Sequence, residues 1–347
     1  MDPQLIIDLV VILAVAGAIA TGLMLGFAAM TVVERKVLGR FTMRYGPNRV
    51  GKFGTLQVVA DMFKMFFKEE VIPDHVDRAV YLMAPGLALV PALMAFAVVP
   101  LASEGLAIPL FGYTITINPW IADINVGILY ILAIGSLGTY GVVLGGWSSN
   151  NKYSLLGGLR TSAQMLSYEL PMGVALLGVI MITGSLRLTE IVEFQASYLG
   201  GFFWLILVQP LAFLIFYISS LAEAGRAPFD LPETENELIA GFATEYGGMK
   251  FGLFFGAEYV HMIVVCFIMA TLFLGGWSGP FATQVPILGV FYLLLKVAFL
   301  LFTMLWVRVS IPRVRFDKLM KFNWKVMLPL SIANAVVTAL VLAVIFF

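Results

Sequence analysis

Long, predominantly apolar runs recur along the whole chain, among them residues 5–33, 81–101 and 326–347. Each reaches or exceeds the roughly 18 residues that separate a bilayer-spanning helix from a helix buried in a soluble core. Only 12% of the 347 residues are charged, against about a quarter in a typical soluble domain. The expected fold is therefore all-α and polytopic, a single lipid-embedded domain over 1–347.

Reading spans by their interface signals places helices near 5–32, 80–101, 121–146, 161–184, 201–221, 250–276, 285–307 and 326–346, about eight in all. The basic residues support that count. All but Arg187 and Lys296 of the 21 Lys and Arg side chains fall in loops on one side of such a bundle. By the positive-inside rule that side is the inner one, and both termini lie outside. An odd number of spans would scatter these charges over both faces. The start, Met1-Asp2-Pro3, is acidic, and the first run is long for a signal peptide, so it is read as a retained helix.

The composition also bounds the chemistry. Cys266 is the one cysteine, and His75 and His261 are the two histidines. An iron–sulfur cluster, a zinc site or a disulfide framework within this chain is not expected from so few ligands. No glycine-rich turn follows a strand, so no nicotinamide or flavin site is expected either. Any redox chemistry would use a partner's cofactor.

Four stretches carry polar side chains where an apolar chain has least use for them. Over 54–71, Gln57, Asp61, Lys64 and Lys68 recur at steps of four, three and four among apolar residues. This predicts an amphipathic helix at the inner interface, serving either as a plain surface helix or as a wall over a cavity for an amphipathic ligand. Just before it, Arg44-Tyr45-Gly46-Pro47-Asn48-Arg49 combines a turn signal with arginines. These either anchor the loop on anionic lipid or hold a carbonyl or carboxylate. Residues 222–248 form an acidic inner loop with Glu223, Asp230, Glu233, Glu235, Glu237 and Glu245, alongside Arg226. Asp230, Pro232 and Glu233 suit a helix start, whereas clustered carboxylates raise one another's proton affinity and suit shared protons.

Within the spans, Glu169, Glu258 and Lys296 are the costly groups. Glu169 is expected about nine residues into the fourth helix, roughly 13 Å deep. Each is either half of a structural pair (Glu258 with His261 or Lys296, Glu169 with Arg160) or a relay group. The acids run from the inner loop toward mid-membrane and have no counterpart in the outer half. A proton could enter but not leave, so charge or strain is expected to pass sideways to another membrane subunit.

Several motifs resemble a known family. Gly54-x-x-Gln57-x-x-x-Asp61-x-x-Lys64-x-x-x-Lys68-Glu69 and Pro228-Phe229-Asp230-Leu231-x-Glu233-x-Glu235-x-Glu237 are similar to signatures of the H subunit of respiratory complex I (NADH-quinone oxidoreductase), called subunit 1 in mitochondria. Glu34-Arg35-Lys36-Val37-Leu38-Gly39, Arg44-x-Gly46-Pro47-Asn48, Arg160-x-x-x-Gln164-x-x-x-Tyr168-Glu169 and Ala257-Glu258-Tyr259 resemble it as well. The likeness covers essentially the whole chain; Thr234 departs from the smaller residue expected there.

The resemblance implies a subunit of an H+-translocating NADH dehydrogenase that walls a quinone chamber with the hydrophilic arm. Quinone is then the substrate, no cofactor is bound by this chain, and iron–sulfur clusters, FMN and NAD belong to partner subunits. It implies that Arg35, Arg44, Asp61 and Phe229 line the chamber. Glu169, Glu223, Asp230, Glu233, Glu235, Glu237, Glu245 and Glu258 would form the proton path, with Arg160 and Arg226 tuning their charge. The implied partners are the quinone-site and iron–sulfur subunits, small and antiporter-like membrane subunits, and phospholipid, with no nucleic acid. The implied location is the bacterial inner membrane, or the mitochondrial inner membrane for an organellar chain. Two other readings are a related hydrogenase or other-donor dehydrogenase, and a stand-alone ion-coupled transporter, although no inverted repeat supports the latter.

Overall fold

The computed structural model describes residues 3–103, 106–110, 113–197, 204–230, 240–282 and 285–346. Glu233, Glu235 and Glu237 lie outside the described residues.

The described elements, in chain order, are α1 (Pro3–Phe41), α2 (Gln57–Phe67), α3 (Arg78–Ala95), β1 (Leu106–Leu110), β2 (Tyr113–Ile117), α4 (Gly127–Ser148) and α5 (Lys152–Thr183). There follow α6 (Leu188–Ser197), α7 (Leu205–Val208), α8 (Pro210–Glu223), α9 (Gly248–Phe273), α10 (Pro286–Ser310), α11 (Phe316–Phe322) and α12 (Leu328–Phe346). The fold is an all-α, multi-pass membrane bundle. Its one described sheet is a small antiparallel hairpin pairing Leu106 with Ile117.

Seven described helices are long and apolar enough to cross a bilayer: α1, α3, α4, α5, α9, α10, and α11 with α12, which run on through a π turn as Phe316–Ile345. The fifth of the eight expected spans is in pieces. Of 201–221, α7 and α8 are described, and they are separated at Gln209-Pro210. Proline disfavours a helical residue before it, and Gln209 sits at φ −123°, ψ 53°. The break is held from α12: Gln209 Nε2 donates to Thr338 Oγ1 at 2.7 Å, and Asn334 Nδ2 donates to Gln209 Oε1 at 2.9 Å.

Several spans extend beyond their expected limits, because a helix need not stop where the apolar run stops; the last begins at Phe316 rather than near 326. α1 continues through Arg35, Lys36 and Arg40, and cations near a helix C-terminus are favoured by its dipole. α5 starts at Lys152 rather than near 161, capped by Asn151, so Arg160 is helical rather than in a loop. Glu169 is thereby the eighteenth of 32 residues of α5, about 25 Å along it from the basic end.

α9 is the most enclosed span, while α1 and the α11–α12 rod sit at the rim with apolar side chains such as Leu13, Leu25, Val337 and Leu340 turned outward. Close approach between helices depends on small residues, as expected where lipid supplies no hydrophobic drive to associate. A Cβ on Gly141 of α4 would come within 2.5 Å of the backbone nitrogen of Ala88 in α3, and one on Gly157 of α5 within 2.7 Å of Gly241.

The segments linking α1 to α3, α4 to α5, α8 to α9 and α10 to α11 meet at one end of the bundle. Asn150 Nδ2 reaches His75 O, the Asp77 amide bonds Ser148 O, and the Val314 amide bonds Pro228 O. This is the basic end. At the opposite end the Arg187 guanidinium pairs with Asp123 at 2.5 Å and Glu190 at 3.4 Å, tying α6 to the start of α4.

Candidate functional site

After Glu223, the last residue of α8, the chain turns at Gly225 (φ 60°) and runs without helix to Asp230. The sequence leaves this stretch open between a solvated, helix-starting loop and carboxylates that share protons; Glu223, Arg226, Phe229 and Asp230 are all buried. Irregular backbone at depth is tolerated where protein satisfies its polar groups. Gln164, fully buried on α5, does this with one amide: Nε2 donates to Ala222 O and to Phe229 O, each at 2.7 Å. One side chain thus pins both ends of the segment that carries Glu223 and Arg226.

Arg226, 5% exposed, lies between two carboxylates. Its Nη1 is 3.9 Å from Glu34 Oε1 and its Nη2 is 3.9 Å from Glu258 Oε2. Its guanidinium carbon stands 3.9 Å from the Tyr259 ring centre, a cation–π contact that suits a partly desolvated arginine. Glu34, on the last third of α1, also accepts from Arg308 of α10. One buried acid therefore joins α1, α10 and the α8–α9 segment.

From Glu258 the polar groups continue inward. A cavity of about 60 Å³ is bordered by Glu258, His261 and Glu223. A second, of about 30 Å³, is bordered by Glu223, His261 and Glu169. Each exceeds the roughly 10–15 Å³ that one water needs. His261 Nε2 lies 3.5 Å from Glu223 Oε1, at the junction of the two. The sequence Glu34, Arg226, Glu258, Glu223 with His261, and Glu169 thus reaches the middle of α5.

The remaining residues singled out by sequence make the following contacts. Asp230 pairs with Arg313 at 3.0 Å. The Phe229 ring sits 5.8 Å from that of Tyr168. Glu245 Oε1 accepts from Asn151 Nδ2 at 2.7 Å, and its main-chain oxygen accepts from Tyr81 at 2.7 Å. Arg160 stands 5.9 Å from the Phe316 ring centre. Near the surface, Arg35 pairs with Asp61 at 2.6 Å while Gln57 Nε2 donates to the other Asp61 oxygen at 2.9 Å. Arg44 Nε donates to Thr42 Oγ1 at 3.0 Å.

Two expected pairings are corrected. His261 faces Glu223 rather than Glu258. Lys296 donates to the carbonyls of Gly276 and Ser278, each at 2.8 Å, beyond the C-terminus of α9. Sequence reasoning passes over Glu34, Arg308 and Gln164 as functional groups. An acid inside the Glu34-Arg35-Lys36 basic junction and an amide four residues after Arg160 are the available signals.

A helical bundle of this kind, with a row of acids and bases enclosed between its spans, defines a polytopic membrane protein with charged groups in its interior. More particularly, the chain belongs to the NADH dehydrogenase family, whose model matches residues 14–339. It is 51% identical over 326 residues to an H subunit of NADH-quinone oxidoreductase from Geobacter metallireducens, covering 92% of each chain. It is 49% identical over 331 residues to the H subunit of the Thermomicrobium roseum enzyme, covering 94% of each. The H subunit of the Deinococcus deserti enzyme is 47% identical over 345 residues, which covers 97% of this chain and 85% of that one.

Proposed function

We propose that this chain is the membrane subunit of a proton-translocating NADH:quinone oxidoreductase that walls the quinone chamber and couples quinone reduction to proton movement. Family membership and near full-length likeness to proteins named as the H subunit of NADH-quinone oxidoreductase support the first part. The observation that carries the second is the row of charges from Glu34 through Arg226 and Glu258 to Glu223, His261 and Glu169, bridged by two cavities able to hold water.

In this reading Arg35, Asp61 and Arg44 shape the mouth of the chamber, and Phe229 stands toward its inner end. Glu169, Glu223, Asp230, Glu245 and Glu258 take up and pass protons, joined by Glu233, Glu235 and Glu237 of the acidic stretch. Arg226 and Arg160 bias their charge. Reduction of a quinone consumes two protons, and the change in charge at the chamber is felt by carboxylates within a few ångströms. Because Lys296 binds backbone carbonyls, it offers no continuation of the row toward the opposite face, so the charge passes laterally to neighbouring membrane subunits. The basic end faces the inner compartment, both termini lie on the other side, and the membrane is the energy-coupling inner membrane. Electrons reach quinone from an iron–sulfur cluster in a partner, which takes them from NADH through FMN.

Glu169→Ala and Asp61→Ala test this in membranes carrying the assembled complex. Quinone-linked NADH oxidation and proton uptake are expected to fall, while NADH oxidation by an artificial acceptor persists. Equal loss of both activities would show failed assembly instead. Ion flux by the isolated chain in vesicles would favour a stand-alone transporter.

A further inference from the structure

The turn between α4 and α5 carries two asparagines. Asn150 adopts φ 47°, a left-handed conformation that asparagine tolerates better than most residues, and its amide reaches His75 O at 3.2 Å. Asn151 is the N-cap of α5: its Oδ1 accepts from the Tyr153 amide at 3.1 Å. Its Nδ2 donates to Glu245 Oε1 at 2.7 Å. The two contacts fix one orientation of the side chain, because only the oxygen can accept and only the NH2 can donate.

We infer that Asn151 is a positioning residue for Glu245, holding Oε1 of that carboxyl and leaving Oε2 to receive and release the proton. An amide NH2 has no lone pair to offer an acid proton, so Oε1 stays an acceptor whether the group is charged or neutral. The carboxyl therefore keeps one orientation through its protonation cycle. Its other oxygen is the exchange point, at the basic end of the same helix that carries Glu169. This inference rests on the proposal that Glu245 belongs to the proton path. Titratable groups near Glu245 include Tyr81 of α3, Tyr246 beside it, Lys250 of α9 and Glu70, which pairs with Lys250 at 2.9 Å, while His75 and Lys152 belong to the same turn region as Asn150 and Asn151.

Three variants of the assembled complex test it. Asn151→Ser and Asn151→Asp both retain an oxygen for the Tyr153 amide, so the α5 cap survives. In Asn151→Asp a second carboxyl faces Glu245, and like charges so close favour binding of a proton by the pair. The acidic limb of quinone-linked turnover against pH should move up by about one unit, and adding Glu245→Gln should abolish the shift. Asn151→Ser should lower quinone-linked turnover several-fold without changing the KM for quinone. A pH profile of Asn151→Asp that overlays the parent, or an unchanged rate in Asn151→Ser, overturns the inference. If Glu245→Gln by itself turns over at the parental rate, the assignment of Glu245 to the path fails and the inference fails with it. A slow Glu245→Gln beside an unshifted Asn151→Asp removes the inference alone.

Discussion

His261 Nε2 lies 3.5 Å from Oε1 of Glu223, and these two side chains border both cavities that separate Glu258 from Glu169. An imidazole can accept on one nitrogen and donate on the other, so it can hand a proton between groups that do not touch. His261→Phe fills similar space and removes that capacity. Quinone-linked turnover should fall about a hundredfold or more, within the range that a proton-transferring side chain contributes. NADH oxidation by an artificial acceptor, measured in the same membranes, reports that the complex is assembled. Unchanged quinone turnover would remove His261 from the path.

The Arg35–Asp61 pair behaves differently because it is exposed, 47% and 32% at the two side chains. An ion pair in that setting contributes about 0–1 kcal/mol to stability and less as salt rises. Asp61→Asn should therefore leave the melting temperature of the solubilised complex within a few degrees of the parent. A chamber role predicts a several-fold higher KM for quinone in the same variant. A large drop in melting temperature with an unchanged KM would make the pair structural.

Gln164 should show the opposite balance. Its single amide satisfies two buried carbonyls, and an unsatisfied buried acceptor costs about 1–3 kcal/mol. Gln164→Leu, close in size, is expected to destabilise the folded chain by about 2–4 kcal/mol. It should also loosen the 224–230 segment enough to lower quinone turnover. Faster proteolysis or hydrogen exchange confined to that segment would locate the effect; wild-type exchange there would refute it.

Sequence-based reading succeeds where the bilayer dictates the answer. Apolar length marks a span, and the one-sided Lys and Arg distribution follows from insertion. Helix limits are less legible because Lys152 and Arg160 read as loop, although a helix can emerge from hydrocarbon and continue with its charges at the interface. The burial of Glu223, Arg226 and Asp230 is hidden for a related reason. Charges after an apolar run imply water unless their partners are known, and Arg308 bonds Glu34 across 274 positions of sequence. Pro210 is a signal for the break in the fifth span, but reading by apolar length alone runs 201–221 straight through it. By contrast, Asn151 and Glu245 are 94 residues apart, and nothing local in either neighbourhood points to the other.

Tyr246 provides a test of the basic end from its titration. It stacks on Tyr81 with ring centres 4.2 Å apart, its hydroxyl donates to Tyr81 O at 3.2 Å, and it touches Ser148 Oγ at 3.3 Å. Burial pushes the phenol up to about 12 from the ordinary 10, against a smaller opposing pull from the Ser148 hydrogen bond. In the unfolded chain the same phenol gives up its proton near pH 10, so between pH 10 and 12 the folded state binds more protons than the unfolded one. Stability from this group is thus intact below about pH 10 and is lost as pH climbs through that window, by about 1.4 kcal/mol per unit. Tyr246→Phe should be about 1 kcal/mol less stable at about pH 7, for the lost hydrogen bond, but its stability should decline less steeply from pH 10 to 12. Parallel unfolding curves for the two proteins across that window would mean that the phenol is hydrated in the folded chain.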